Sequence, residues 1–242
     1  MSLLDKIEIP RRTMVLFFVI DTSGSMDGSK IGAVNVAIEE IIPAIREVSD
    51  ENSDAQIKIA ALEFSNGARW LTPNGPIEAD KFRWSYLHAD GLTDLGDACR
   101  ALNEKLSTKA FMQEATGSFA PAFFLLSDGD PTDNWQHSLA VLKQNNWFRT
   151  GVKVAIAIGD EANKAVLKEF TGSTEAVLEV HNAAMLKKMI KFISVRASQV
   201  ASKSTDVGSL GDEQKQIELN SSLQEFIADE VVNAPDLSDE DW

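Results

Sequence analysis

The segment MVLFFVIDTSGSMDGSK (residues 14–30) decides how the rest of the chain is read. Its opening apolar run reaches Asp21 without polar alternation, the pattern of a strand covered on both faces. Asp21 closes that run, and Ser23 and Ser25 follow on alternate residues of a glycine-containing turn. A carboxylate and two hydroxyls placed so closely allow three readings. They are a capped turn before a helix, a phosphate cradle, or one side of a metal site.

Working outward, apolar runs and helical periodicities alternate. Residues 29–49 carry Ile31, Val34, Ile38, Ile41, Ile45 and Val48 on one stripe, with Pro43 inside it expected to bend the helix. Residues 55–64 (AQIKIAALEF) read as a second strand. Asn66-Gly67 then turns the chain into a hairpin partner at 68–72. A short helix is expected over 94–106, a buried strand at 122–126 and a helix over 134–144. A strand over Val152–Ile158, a helix over 162–170, a strand at 176–180 and a closing helix over 183–200 complete the series. Near-continuous apolar strands alternating with helices imply an α/β fold of three layers, its sheet covered on both faces. Its sheet is expected to hold six strands, mostly parallel, with one antiparallel edge strand. Ligands of such sheets gather beyond the carboxyl ends of the strands, where the winding reverses. Asp21 and Asp128 both stand at such ends.

Composition changes near residue 202, so the chain is read as a domain over 1–202 and an acidic extension over 203–242. KSTDVGSLGD (203–212) reads as a linker. A helix is expected over 214–232, with Leu219, Leu223, Phe226, Ile227 and Val231 at helical spacing. NAPDLSDEDW, at the end, is too acidic and apolar-poor to fold alone. From Lys203 onward there are 2 basic and 11 acidic residues, and the whole chain carries −14. That charge repels nucleic-acid phosphates and anionic lipid, so neither is expected as a partner. No apolar run is long enough to span a bilayer, and MSLLDKIEIPRR lacks a signal-peptide pattern. With one cysteine, Cys99, a cytoplasmic setting is expected, the thiol acting as a small buried apolar group.

Of the three readings of the opening segment, the phosphate cradle fails first. GSMDGSK has short glycine spacing for a P-loop, and Asp27 stands where phosphate would approach. Nucleophilic catalysis has little support, with no G-x-S-x-G elbow and only His88, His137 and His181 as histidine bases. A hard divalent cation, by contrast, takes oxygen ligands, and Asp21, Ser23 and Ser25 would supply part of a shell. Two polar loops, GLTDLG (91–96) and LSDGD (126–130), are candidates to complete it. Capping alone remains the plain alternative for Asp21.

VIDTSGSM, DGLTDLGDA and FLLSDGDPTD, in this order, resemble the von Willebrand factor type A family at its metal-ion-dependent adhesion site (MIDAS). The family motif is D-x-S-x-S with a distant threonine and a distant aspartate. Carried over, it implies Asp21, Ser23 and Ser25 as the first cluster, Thr93 as the threonine and Asp128 as the aspartate. The resemblance covers about residues 13–200 and implies a doubly wound, Rossmann-like three-layer fold with the metal at the upper rim of its sheet. It implies Mg²⁺, with Mn²⁺ or Ca²⁺ substituting, and an open position that takes an acidic residue from a partner protein. Within the family the chain resembles bacterial intracellular tellurium-resistance members of the TerY type. That implies a stress-response or kinase- or phosphatase-associated complex, and a binding role rather than an enzymatic one.

Plainer roles stand beside these. Thr93 would also serve as an N-cap for the helix over 94–106, and Asp133 is expected to cap the helix over 134–144. Asp27 and Asp94 are expected on the rim, Asp130 is a tempting extra ligand, and His88 reads as surface. Two rival functions remain. One is a Mg²⁺-dependent phosphate-ester hydrolase, which would need a positioned base from His88 or a loop carboxylate. The other is a scaffold working through its acidic tail helix.

Overall fold

The apolar run opens into β1 (Arg12–Asp21), whose residues from Thr13 onward are buried. The computed structural model describes residues 11–52, 55–113, 117–201 and 212–233. β1 lies between two parallel neighbours, β2 (Ala55–Ser65) and β5 (Ala122–Ser127). β6 (Val152–Ile158) and β7 (Val177–Val180) extend the sheet in parallel beyond β5. On the far side, β3 (Gly67–Trp70) and β4 (Ile77–Glu78) both run antiparallel to β2. The order is β3-β2-β1-β5-β6-β7, with β4 on the outer edge of β2 beside β3.

The doubly wound three-layer fold is therefore present, with seven strands rather than six and an antiparallel edge made of two pieces. β4 has only two residues, too few to show a period in the sequence. The hairpin turns at Asn66, and Gly67 takes φ +86°, a conformation that favours glycine.

Alternation along β1 builds both cores. Met14, Leu16, Phe18 and Ile20 meet α1 (Ser29–Glu51) and α6 (Ala183–Ala201). Val15, Phe17 and Val19 face the opposite core. That core holds residues of α2 (Leu95–Lys105), α3 (Trp135–Leu142), α4 (Asn146–Thr150) and α5 (Lys164–Thr171). Burying each large apolar side chain contributes about 1.5–3 kcal/mol, which is why a strand apolar on both faces becomes the centre of the sheet. α1 runs unbroken through Pro43. The residue is exposed, so the carbonyl it leaves unpaired faces the solvent side. α4 was not anticipated, being a single short turn of helix capped by the Asn145 side chain, which accepts from the Trp147 N–H.

α7 (Asp212–Asn233) returns to the α1 and α6 face. Leu219 and Leu223 are fully buried there, and Phe226 stacks on Phe192 with ring centroids 4.2 Å apart. β7 pairs with β6 only from Ala155 onward, which leaves the backbone of Lys153 open on that side. The Gln216 amide closes the gap, accepting from Lys153 N–H at 2.9 Å and donating to its carbonyl at 3.1 Å. The 203–211 stretch of the expected linker, residues 234–242 of the acidic end and the side chain of Val231 lie outside the described residues. Among the described residues, no helix is long and apolar enough to cross a membrane.

Candidate metal centre

From β1 the chain winds outward through β2, β3 and β4, then crosses back to β5 on the other side of β1. The winding thus reverses between β1 and β5, and a crevice opens beyond their carboxyl ends. Three loops border it. The first follows β1 and makes a 3-10 turn at Gly24–Met26, the second precedes α2, and the third follows β5.

Backbone hydrogen bonds stitch these loops together. Thr22 N–H donates to the Phe64 carbonyl at 2.8 Å, and Asp90 N–H to the Thr22 carbonyl at 2.9 Å. Gly24 N–H reaches the Gly91 carbonyl at 3.0 Å, and Thr132 N–H the Thr93 carbonyl at 2.9 Å. The Asn66 side chain accepts from Leu92 N–H at 3.0 Å and packs so closely that a Cβ on Gly91 would fall 2.4 Å from it. Loops held in this way position their side chains through the chain's own hydrogen bonds.

The structure brings all five residues singled out by the motif to one place. Asp21, Ser23, Thr93 and Asp128 are buried, while Ser25 is exposed at the opening. Asp21 Oδ1 accepts from Ser23 N–H at 2.9 Å, and its Oδ2 from Ser127 Oγ at 2.5 Å. Ser23 Oγ and Ser25 Oγ lie 3.1 Å apart, and Ser25 Oγ donates to Asp128 Oδ1 at 2.7 Å. Gly129 marks the centre of the arrangement. A Cβ built on it would sit 3.2 Å from Ser25 Oγ, 3.5 Å from Thr93 Oγ1 and 3.9 Å from Asp21 Oδ2. Oxygens of the first and second loops therefore border a small space beside Gly129 of the third, and Asp128 is tied to the same place through Ser25 Oγ.

Electrostatics make that space costly without a cation. Burial pushes the Asp21 carboxyl above its ordinary value, and the charge of Asp128 acts in the same direction. Hydrogen bonds from Ser127 and Ser23 pull it down without cancelling the burial effect. Two buried carboxylates repel one another, and a positive charge between them would relieve both penalties.

Neighbouring acids fall into other roles. Asp133 accepts from the Gly96 and Asp97 N–H groups at 3.0 and 3.2 Å, so it satisfies the first turn of α2. The expectation that it caps the helix following it is corrected on this point, since residue 134 holds that cap position. Asp94 accepts from Gly67 N–H at 2.8 Å and from Thr132 Oγ1 at 3.4 Å, so it braces both the hairpin and the third loop. Asp130 pairs with the Asn163 side chain, Asp27 is exposed, and His88 is exposed on the segment leading to the second loop. Cys99 is buried in the core, its thiol pushed up to about 12 by burial.

Three contributors were not found from the sequence. Ser127 holds Asp21, Gly129 leaves the central space, and Lys30 in the first turn of α1 forms an ion pair with Asp128 Oδ2. Ser127 and Gly129 flank Asp128 in the chain, a signal open to use. Only the fold brings Lys30 to Asp128.

The family model for the von Willebrand factor type A domain matches residues 16–192. Among solved structures, a von Willebrand factor type A protein from Catenulispora acidiphila superposes with a TM-score of 0.58 at 18% identity, over 77% of this chain and 43% of its own. Proximal thread matrix protein 1 from the mussel byssus, in a structure with a zinc-occupied MIDAS motif, gives 0.58 at 15% identity, over 78% and 48%. The pilus adhesin SpaC from Lactobacillus rhamnosus GG, in an open conformation, gives 0.59 at 13% identity, over 78% and 30%. This chain thus spans less than half the length of each of these structures, and at such identities the likeness is one of fold. A comparison with curated proteins found no match.

Proposed function

This chain belongs to the von Willebrand factor type A domain family, and on that premise we propose that it is a metal-dependent protein-interaction module. Asp21, Ser23, Ser25, Thr93 and Asp128 would hold a divalent cation, Mg²⁺ by the family resemblance, with Mn²⁺ or Ca²⁺ able to substitute. When bound, such an ion supplies an electrophilic position that takes a carboxylate oxygen from an acidic residue of a partner. The observation that carries this reading is the space beside Gly129, bordered at 3.2–3.9 Å by oxygens of Ser25, Thr93 and Asp21.

The donor set fits a hard cation. It offers two carboxylates and three neutral hydroxyls, all oxygen, and no soft ligand. Neutral hydroxyls satisfy the ion's geometry without cancelling its charge, so an outside carboxylate remains a favourable addition. The zinc in the thread matrix protein's MIDAS motif supports a divalent ion at this position of the fold. Binding is favoured over hydrolysis by the way the crevice is assembled. Its described hydrogen bonds come from serine, threonine, lysine and backbone groups, with His88 outside them.

The finer context rests on sequence resemblance. We place the domain over 1–202 with an extension over 203–242, in a cytoplasmic, tellurium-resistance-like stress-response or kinase- or phosphatase-associated complex. The free buried thiol of Cys99 suits a reducing compartment. Two measurements test the reading. Calorimetry should find Mg²⁺ binding in the wild type and none in Asp21→Ala, with circular dichroism unchanged. Affinity capture with and without EDTA should then lose acidic partners when the metal is removed. Equal capture in both conditions would refute the metal-dependent role.

A further inference from the structure

Lys30 is the second residue of α1, a place where the helix dipole disfavours a positive charge. Its ammonium is nevertheless fixed there by two contacts with the crevice. It pairs with Asp128 Oδ2 and donates to the Ser25 carbonyl at 3.3 Å. The Asp128 side chain is 1% exposed and that of Lys30 22%, so the pair is largely withdrawn from water. The other Asp128 oxygen is taken by Ser25 Oγ at 2.7 Å. Both oxygens of this carboxylate are therefore engaged, one of them by a cation that belongs to the chain itself.

We propose that Lys30 is an internal cation that competes with the divalent ion for Asp128 and thereby sets the metal concentration at which the domain becomes competent to bind. The proposal rests on reading the crevice as a metal site. Two carboxylates and one ammonium leave the metal-free crevice with a formal charge of −1, instead of −2 without Lys30. The ammonium lowers the cost of holding Asp21 and Asp128 close together, and it stabilises the metal-free state for that reason. It also repels an incoming cation, and the Asp128 oxygen it occupies must be released when the ion arrives. Opposite signs for the two effects follow from one contact. Lys30 favours the metal-free fold and weakens the metal-bound one.

The flexible four-carbon stem of lysine suits this exchange. The ammonium can leave Asp128 without any backbone movement, whereas the loops around it are locked by hydrogen bonds. Competition of this kind keeps the site from being saturated by trace metal. Binding to a partner then responds to the ambient concentration of the ion.

The experiment is a Mn²⁺ titration, followed by calorimetry, of the full chain as wild type, Lys30→Gln and Lys30→Arg, with thermal melts of each before and after loading. Lys30→Gln is expected to bind Mn²⁺ about tenfold more tightly than wild type, and Lys30→Arg close to wild type. Without metal, Lys30→Gln should melt lower than wild type. The rise in Tm on adding Mn²⁺ should accordingly be larger in that variant. If wild type binds Mn²⁺ and Lys30→Gln binds it equally or more weakly, the competition is overturned and Lys30 is a structural support. If wild type shows no Mn²⁺ binding at all, the metal reading falls and this inference with it. Circular dichroism confirms folding, and the Arg variant keeps the charge should Gln prove unstable.

Discussion

At the carboxyl ends of β1 and β5 the chain buries Asp21, Ser23, Thr93 and Asp128, Asp21 accepting from Ser23 N–H and Asp128 from Ser25 Oγ. At the amino end of β6 it lays α7 over an open strand edge and pairs Gln216 with Lys153. Both regions withdraw polar groups from water, yet the outcomes differ. The α7 contact joins neutral amides to backbone groups and adds the burial of Leu219 and Leu223, so the groups that meet there satisfy one another within the chain. The crevice instead gathers two carboxylates around an open space, with Lys30 balancing one of them. One end of the sheet is built for stability. The other carries a local cost that a bound cation would remove.

That contrast holds only if stability can be lost at α7 without any effect on the crevice. Leu219→Ala and Leu223→Ala should each destabilise the protein by about 2–5 kcal/mol in denaturant melts. Their Mn²⁺ affinity, measured under folding conditions, should match wild type. A metal defect in either variant would show that the two regions are coupled.

A smaller effect sharpens the cost side of the comparison. The carboxyl of Asp21 titrates above its ordinary value in the metal-free fold, so the folded state holds the proton more tightly than the unfolded one. Its contribution to stability is therefore full below the ordinary value of 3.8 and is lost as pH rises through the raised one. Asp21→Asn should remove that dependence and raise the metal-free Tm at pH 7 by about 2–4 °C, the shift that corresponds to about 1 kcal/mol in a chain of this size. It should at the same time eliminate the gain from Mn²⁺. A variant that is less stable without metal at pH 7 would contradict the charge argument.

The smallest effect concerns the core between these ends. With its thiol pushed up to about 12 and no exposed surface, Cys99 should resist alkylation by iodoacetamide at pH 8 until denaturant is added. Rapid labelling of the native protein would mean that α2 opens far more readily than its packing implies.

How much of this was legible in the sequence depended on the range of the signal. β1 was readable because burial on both faces leaves a continuous apolar run, and α1 because Ile31, Val34, Ile38, Ile41 and Ile45 recur at the helical period. Asp21, Ser23 and Ser25 announced themselves by local spacing, whereas the loops of Thr93 and Asp128 read as candidates to complete the shell and the family motif picked out the two ligands within them. Ser127 escaped because its role depends on register. Ile20 pairs with Leu126, which places Ser127 beside Asp21 across 106 residues of chain. Asp133 misled because an acid just before a helix reads as its own cap, while the fold hands its carboxylate to α2. The apolar stripe of α7 was visible too, but nothing local says that its seat is the α1 and α6 face.

Gly129 offers the most direct test, because it is the residue that leaves the central space open. Its backbone φ lies outside the positive range, so alanine fits the chain there, yet the added methyl would stand 3.2 Å from Ser25 Oγ inside the crevice. Titrating Mn²⁺ into wild-type and Gly129→Ala protein should give a single saturable site in the first and at least about tenfold weaker binding in the second, with equal helical signal. Equal affinity in the two proteins, or none in the wild type, would contradict the claim that these oxygens enclose a cation.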